Sequence, residues 1–296
     1  MNKQFVLSCE SPADLPFSKL DERGIKVLFY NYIIDDKEYE DICGRSQAKR
    51  EEFFKAIEDG ALPTTSQVNS MTYYDYFKEL LKEGDVLHLA FTSGLSGSCN
   101  NAFEAVKMIE EEGEETHKVI VVDSLCACTG FGMFVEDVAD KWEAGASLEE
   151  AAEYARNDRG TIRHQFFATD MKMFKRSGRV NGPTALVAAV LGICPVMHID
   201  DDGKIVAYSK ARGKKAVMKA TVDEIIKSLN DVNADHGNMY ISHADCIEDC
   251  MEMKRLIEEN VPCFRDKITI CEIGTIIASH CGPTTVAVFY HHDNGR

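Results

Sequence analysis

Two short apolar runs, residues 86–91 and 118–122, each give way to a turn of small polar residues and then to a helical pattern. This alternation constrains the fold more than any other feature of the chain. A continuous apolar run of five or six residues reads as a strand buried on both faces. Such strands, separated by helices, assemble into a parallel sheet with helices on both sides. The same rhythm holds through the first half. Residues 5–8 and 25–34 read as strands, and 50–57, 73–81 and about 99–112 as helices. Another helix follows residues 118–122, runs through Trp142 and closes at Gly145. Ser147 and Glu150 then form a capping box that opens the next helix.

Beyond about residue 160 the character changes. Residues 196–199 and 204–209 flank Asp200-Asp201-Asp202-Gly203 and read as a hairpin. Strands at 165–168, 239–242, 268–272 and 285–290 mix with helices at about 214–229 and 248–259, which implies an α+β domain. The boundary falls near 157–160, giving domains over 1–159 and 160–296. A chain of 296 residues accommodates two such domains.

Charge excludes some functions. With 33 basic and 49 acidic residues the net charge is -16. Nucleic acid and anionic membranes reward clustered Lys and Arg, so neither is the expected partner. The 11 cysteines show no Cys-x-x-Cys spacing, so no zinc site is expected, and reduced thiols in a cytoplasmic protein fit best. The opening Met1-Asn2-Lys3-Gln4 leads into a strand and carries no signal-peptide pattern. The longest apolar stretch, 185–196, is too short and too broken by Gly and Pro to cross a bilayer.

Three segments set hydroxyls or an imidazole beside Gly or Pro: Pro63-Thr64-Thr65-Ser66-Gln67, residues 92–98, and Ser279-His280-Cys281-Gly282-Pro283. Ligands of open parallel sheets bind beyond the carboxyl ends of the strands, and helix N-termini favour anions. Ser93, Gly94 and Ser96 occupy such a place after the strand at 86–91, and Gly94 and Gly97 permit close approach of the backbone. The three segments together describe a cradle for a small anion made of neutral donors. Each also has a plainer reading: Ser93 and Ser96 as helix caps, the Thr loop as turn chemistry, His280 as a structural residue at a loop edge. There is no Gly-Lys-Ser/Thr phosphate loop. The nucleophile-elbow pattern Gly-x-Ser-x-Gly fails at Ser98, although a Ser–His pair in space stays open. Lys175-Arg176-Ser177-Gly178-Arg179 is a basic turn on an acidic chain, suited to an acidic partner or a phosphate.

In order and spacing these segments resemble the DegV family of bacterial lipid-binding proteins over nearly the whole chain. The resemblance rests on Ala13-Asp14-Leu15-Pro16, Thr65-Ser66-Gln67, Ser93-Gly94-Leu95-Ser96-Gly97-Ser98 and Val122-Asp123-Ser124. It continues in Lys175-Arg176-Ser177-Gly178-Arg179, Arg212-Gly213-Lys214-Lys215-Ala216 and His280-Cys281-Gly282-Pro283. It departs from the family at Val68, Ser177 and Thr284, and at Ser8-Cys9-Glu10-Ser11, where no ligand contact is expected.

The resemblance implies an α/β fold of two domains, a Rossmann-like parallel-sheet domain and an α+β domain closing over one long-chain fatty acid. The carboxylate would sit on Thr65 and Ser93 with His280 close by, Ser66, Gly94 and Ser96 completing the cradle. Such proteins are similar to the fatty-acid-binding subunit of bacterial fatty-acid kinase. That subunit is not an enzyme and uses no metal or cofactor. It presents the carboxylate to a separate ATP-dependent kinase, which makes an acyl-phosphate for phospholipid synthesis. Lys175, Arg176, Arg179 and Arg212 would face that kinase or the head group. Burying about sixteen methylenes at roughly 0.8 kcal/mol each gains on the order of 13 kcal/mol before association costs, so the tail supplies affinity and the cradle orientation. Expected tunnel residues are Phe91, Phe166, Phe167, Leu186, Val187, Val190, Ile193, Ile276 and Ile277. The alternatives are an acyl esterase or thioesterase using Ser93 or Ser96 with His280, and a pure interaction protein docking through the basic turn.

Overall fold

The computed structural model describes residues 3–41, 44–180 and 192–293. A four-stranded sheet is built from β1 (Val6–Glu10), β2 (Lys26–Leu28), β6 (Val86–Ala90) and β7 (Val119–Asp123), in the order β2-β1-β6-β7. Every pairing in it is parallel. Alternation along the strands sorts their side chains onto two faces. Val86 and Ala90 pack with Tyr73, Phe77, Ala102 and Ile109 of the helices Ser70–Leu81 and Ser98–Glu112. Leu87 and Leu89 pack with Phe131, Val135 and Ala151 of the helices Cys128–Glu143 and Leu148–Asp158. The capping box at Ser147 and Glu150 forms as the spacing predicts.

The strand expected over 25–34 divides in two. Tyr30 leaves the sheet because its N–H donates to Ser11 Oγ at 3.1 Å and its hydroxyl to the buried Glu10 carboxylate at 2.9 Å. The chain resumes as β3 (Asn31–Ile34) in a separate small sheet, between β4 (Lys37–Glu40) and β5 (Thr64–Thr65). Asp35 and Asp36, both at positive φ, make the two-residue turn of this hairpin, the geometry of a type I′ turn. Thr64 and Thr65, read as loop from the sequence, are held by pairing with Ile33 and Tyr32.

The second large sheet contains β8 (Ile162–Ala168), β9 (Ile193–Ile199), β10 (Ile205–Arg212), β11 (Met239–His243), β12 (Ile268–Glu272) and β13 (Thr285–His291). Their order is β10-β9-β8-β13-β11-β12. Only the β11–β12 pairing is parallel among these, so the sheet is mixed. The expected hairpin across 200–203 is present between β9 and β10. On one face Phe167, Val286, Val288 and Tyr290 lie under the helices Lys214–Ser228 and Ile247–Asn260. On the other Phe166, Ala287 and Phe289 turn towards the helix Cys128–Glu143 and share one core with the N-terminal sheet. That helix is wedged between the sheets: a Cβ on Gly130 would meet His164 Nε2 at 2.3 Å.

A short helix, Thr275–Cys281, stands where the sequence suggested a loop edge, and Gly282 at φ 71° ends it. The tunnel candidates Leu186, Val187 and Val190, with most of the apolar stretch 185–196, lie outside the described residues. No described helix is long and apolar enough to cross a membrane. The ten described cysteines are free thiols, all but Cys246 buried.

Candidate functional site

Period-two alternation leaves one face of the C-terminal sheet to line a cavity. His164 and Phe166 of β8, Thr285, Ala287 and Phe289 of β13, and Ile199 and Ile205 of the hairpin form its floor. Tyr30, Phe91, Ala127 and Cys128 face them from the N-terminal half, and Ile276 and Ile277 close a side. The cavity encloses about 890 Å³ of non-atom space, part of it open to solvent. Of the expected tunnel residues, Phe91, Phe166, Ile276 and Ile277 are in the lining. Phe167 is on the opposite face of β8 because the strand alternates, and Ile193 is not in the lining.

Thr65, Ser66, Gln67, Ser96, Arg179 and His280 add polar groups to a lining that also holds Tyr30, His164 and Thr285. Thr65 Oγ1 and His280 Nε2 are 2.8 Å apart, bridging residues 215 positions apart in the chain. Burial, and then the positive charges of Arg179 and Arg176, lower the His280 pKa to about 4. His280 is therefore a neutral imidazole near pH 7, in a field that favours an anion.

The two arginines do different things. Arg176 Nη2 donates to Pro63 O at 2.5 Å and to Ser279 O at 3.4 Å, and Nη1 donates to Leu62 O at 3.5 Å. It pins the strand carrying Thr65 to the helix carrying His280. Arg179 is half-buried, donates to Ser177 O at 2.7 Å, and has no ion pair among the described residues. Desolvation lowers its pKa, with no carboxylate acting against it. Arg179, expected to face the kinase or the head group, lines the cavity beside the hydroxyls. Lys175 and Arg212 are exposed and line neither this cavity nor the cleft next to it.

Ser93 and Gly94 line that adjoining cleft, which shares Gln67, Leu95, Ser96, Arg179 and Ile205 with the cavity. The Ser93 N–H donates to Asp123 Oδ1 at 3.2 Å, so Asp123 shapes the turn. Gly94 is required by the protein itself, since a Cβ there would lie 2.4 Å from the backbone of Gly203 in the β9–β10 turn. Ser98 accepts from Val68 N at 3.1 Å, and Asn101 donates to Val68 O at 2.7 Å. These bonds fix the segment after Thr65 to the helix Ser98–Glu112. Among the described residues no serine and no carboxylate hydrogen-bonds to His280.

Beneath the cavity lies a polar cluster that sequence reasoning missed. Glu10, fully buried at the end of β1, accepts from Tyr30 Oη, Tyr73 Oη and Phe91 N, and lies 3.1 Å from His88 Nε2. His88 Nδ1 contacts Ser8 Oγ at 2.8 Å. Glu10 thereby holds both Tyr30, a lining residue, and the start of the 91–98 turn. A carboxylate closing an apolar strand was the available signal.

Comparison with known proteins agrees with this architecture. Residues 5–293 match the profile of a family described as an uncharacterised protein, DegV family. A DegV domain-containing protein of Clostridium perfringens is 33% identical over 98% of both chains. The structure of a fatty-acid-binding DegV family protein from Thermus thermophilus is similar at TM-score 0.83 and 26% identity, covering 98% of this chain and 100% of that one. A stearic-acid-binding protein from Eubacterium ventriosum is similar at TM-score 0.86 and 21% identity, covering 97% and 98%. The family match over residues 5–293 and the 33% identity across nearly the whole length mean that this chain belongs to the DegV family.

Proposed function

We propose that the chain binds one long-chain fatty acid, tail in the apolar cavity and carboxylate among its polar residues. The observation that carries this is the pairing of an apolar slot with a mouth holding neutral His280, Thr65 and an arginine without an ion pair among the described residues. Arg179, Thr65 and His280 are the first contacts, with Ser66 and Ser96 beside them. Ser93 and Gly94 act from the adjoining cleft, where a second reactant would meet the head group. Fatty-acid binding by the Thermus thermophilus and Eubacterium ventriosum proteins supports the reading. Residues 1–159 and 160–296 are the two domains of this binder. The free thiols suit a reducing cytoplasm.

The carrier presents the carboxylate to a separate ATP-dependent kinase for acyl-phosphate formation, with Lys175 and Arg212 exposed for docking. The esterase alternative is less well supported, because His280 pairs with Thr65 and not with Ser93 or Ser96. Native mass spectrometry of purified protein tests binding: a retained fatty acid is expected, and a lipid-free protein that ignores added fatty acid overturns the reading. Acyl-phosphate formation by a candidate kinase, present only when the loaded carrier is added, tests the partnership separately.

A further inference from the structure

A second polar cluster lies away from the cavity, where the N-terminal helices meet the end of β13. Asp137 is in the helix Cys128–Glu143, Asp158 ends the helix Leu148–Asp158, and His291 ends β13. One ligand atom from each lies within 4.8 Å of the others. Asp137 Oδ2 and Asp158 Oδ2 are buried atoms without a hydrogen-bond partner. The second Asp158 oxygen is already engaged, accepting from Tyr154 Oη at 3.1 Å.

The hydrogen bonds around Thr161 fix which imidazole nitrogen is free. Thr161 Oγ1 donates its single proton to Asp158, to the carbonyl at 2.9 Å or the more distant carboxylate Oδ1 at 3.4 Å. The same hydroxyl is 2.9 Å from His291 Nδ1, so it accepts there and Nδ1 carries the proton. His291 Nε2 lies 3.2 Å from Asp137 Oδ2, an ion pair when the imidazole is protonated. The imidazole and the two carboxylates thus offer three ligand atoms within 4.8 Å of one another, a place for a cation.

We propose that Asp137 Oδ2, Asp158 Oδ2 and His291 Nε2 bind one divalent cation of the Zn²⁺ class, tying the N-terminal helices to the C-terminal sheet. Two carboxylates and a dication cancel in charge, whereas a proton leaves the cluster at minus one. One nitrogen and two oxygen donors with a water in the fourth position suit Zn²⁺. Thr161, holding Nδ1, is the outer group that orients a metal-bound histidine. The ligands come from three separate elements, so sequence spacing held no sign of them.

The test is calorimetric titration of metal-stripped, full-length protein with Zn²⁺ in competition with a chelator. One equivalent is expected to disappear in Asp158→Asn, which retains the shape of the side chain. Any Zn²⁺ held by thiols is the part that remains. Thr161→Val should weaken that equivalent by about 10- to 100-fold. Fatty-acid retention should be the same in all variants, which separates this proposal from the lipid reading. Unchanged stoichiometry in both Asp158→Asn and His291→Gln overturns it. So does a histidine nitrogen NMR spectrum of the wild type in which His291 is protonated on both nitrogens and unmoved by Zn²⁺.

Discussion

His88 and His280 are two imidazoles, one bonded to Glu10 beneath Tyr30 and one in the cavity lining, and the fold treats them in opposite ways. His88 is sealed: Ser8 and Glu10 engage its two nitrogens, and Tyr30, Tyr73 and Phe91 complete the coordination of Glu10. His280 has no carboxylate bonded to it among the described residues. Burial, and then two arginines, keep it neutral, and its one hydrogen-bonding side chain among the described residues is Thr65. A buried network that supplies its own anion rigidifies a core. A site with donors, a guanidinium and no internal anion is prepared for one from outside.

The contrast breaks first, and by the largest amount, at Glu10. Glu10→Ala strands two tyrosine hydroxyls, a backbone N–H and an imidazole in the interior. Loss of one member of a buried charged network costs about 3–5 kcal/mol. Equilibrium urea unfolding checks this through the midpoint at constant slope. A loss under about 1 kcal/mol would mean that the network is not structural and that the two histidines are less different than their surroundings.

Arg179 should give the reverse pattern. Replacing it with Met removes a desolvated charge that has no ion pair among the described residues, so stability should hold or rise slightly. Fatty-acid affinity should fall by about 10- to 100-fold, the worth of a charge-assisted hydrogen bond at 1.4 kcal/mol per tenfold. Competition binding with the fatty acid and with the long-chain alcohol of equal length separates the effects: only the acid should lose affinity. Equal losses for both would assign Arg179 to packing.

How far the chain could be read in advance follows from the range of the contacts. The parallel sheet was legible because residues 86–91 and 118–122 carry a local apolar signal, and the capping box at Ser147 because it spans four residues. The place of Thr65 was not. It depends on pairing with Tyr32, on Val68 bonding to Ser98, and on Arg176 reaching Pro63 from more than a hundred residues away. The segments around Thr65 and His280 stand out by composition and group as one cradle on that ground and on the resemblance to a family, not on any contact the sequence displays. Arg179 looked like one more member of a basic surface turn. Its distinction is that the chain bends it into the cavity, and no local pattern encodes that.

Titration sharpens the comparison next. An unfolded histidine titrates near 6.5, and His280 in the fold near 4. Between these values the unfolded chain binds the extra proton. The stability owed to His280 is therefore complete above about pH 6.5 and is lost as the pH falls towards 4. A fatty-acid carboxylate placed beside it favours the imidazolium, so loading should raise its pKa and take up a proton in that window. Histidine NMR of lipid-free and loaded protein reads both numbers directly. A lipid-free value near 6.5 would remove the electrostatic reason for treating the mouth as an anion site.

The smallest effect belongs to Thr65. Thr65→Val keeps shape and volume close while deleting the hydroxyl that meets His280. One neutral hydrogen bond is worth about 0.5–1.5 kcal/mol, so affinity for fatty acid should fall between about twofold and tenfold, with little change in urea midpoint. The informative measurement is the double variant with Arg179→Met. If hydroxyl and guanidinium hold the same carboxylate, their effects on affinity should fall short of or exceed a simple sum, because neighbours that share a partner couple. Strict additivity would place them on different parts of the ligand, and the mouth would then be two sites rather than one.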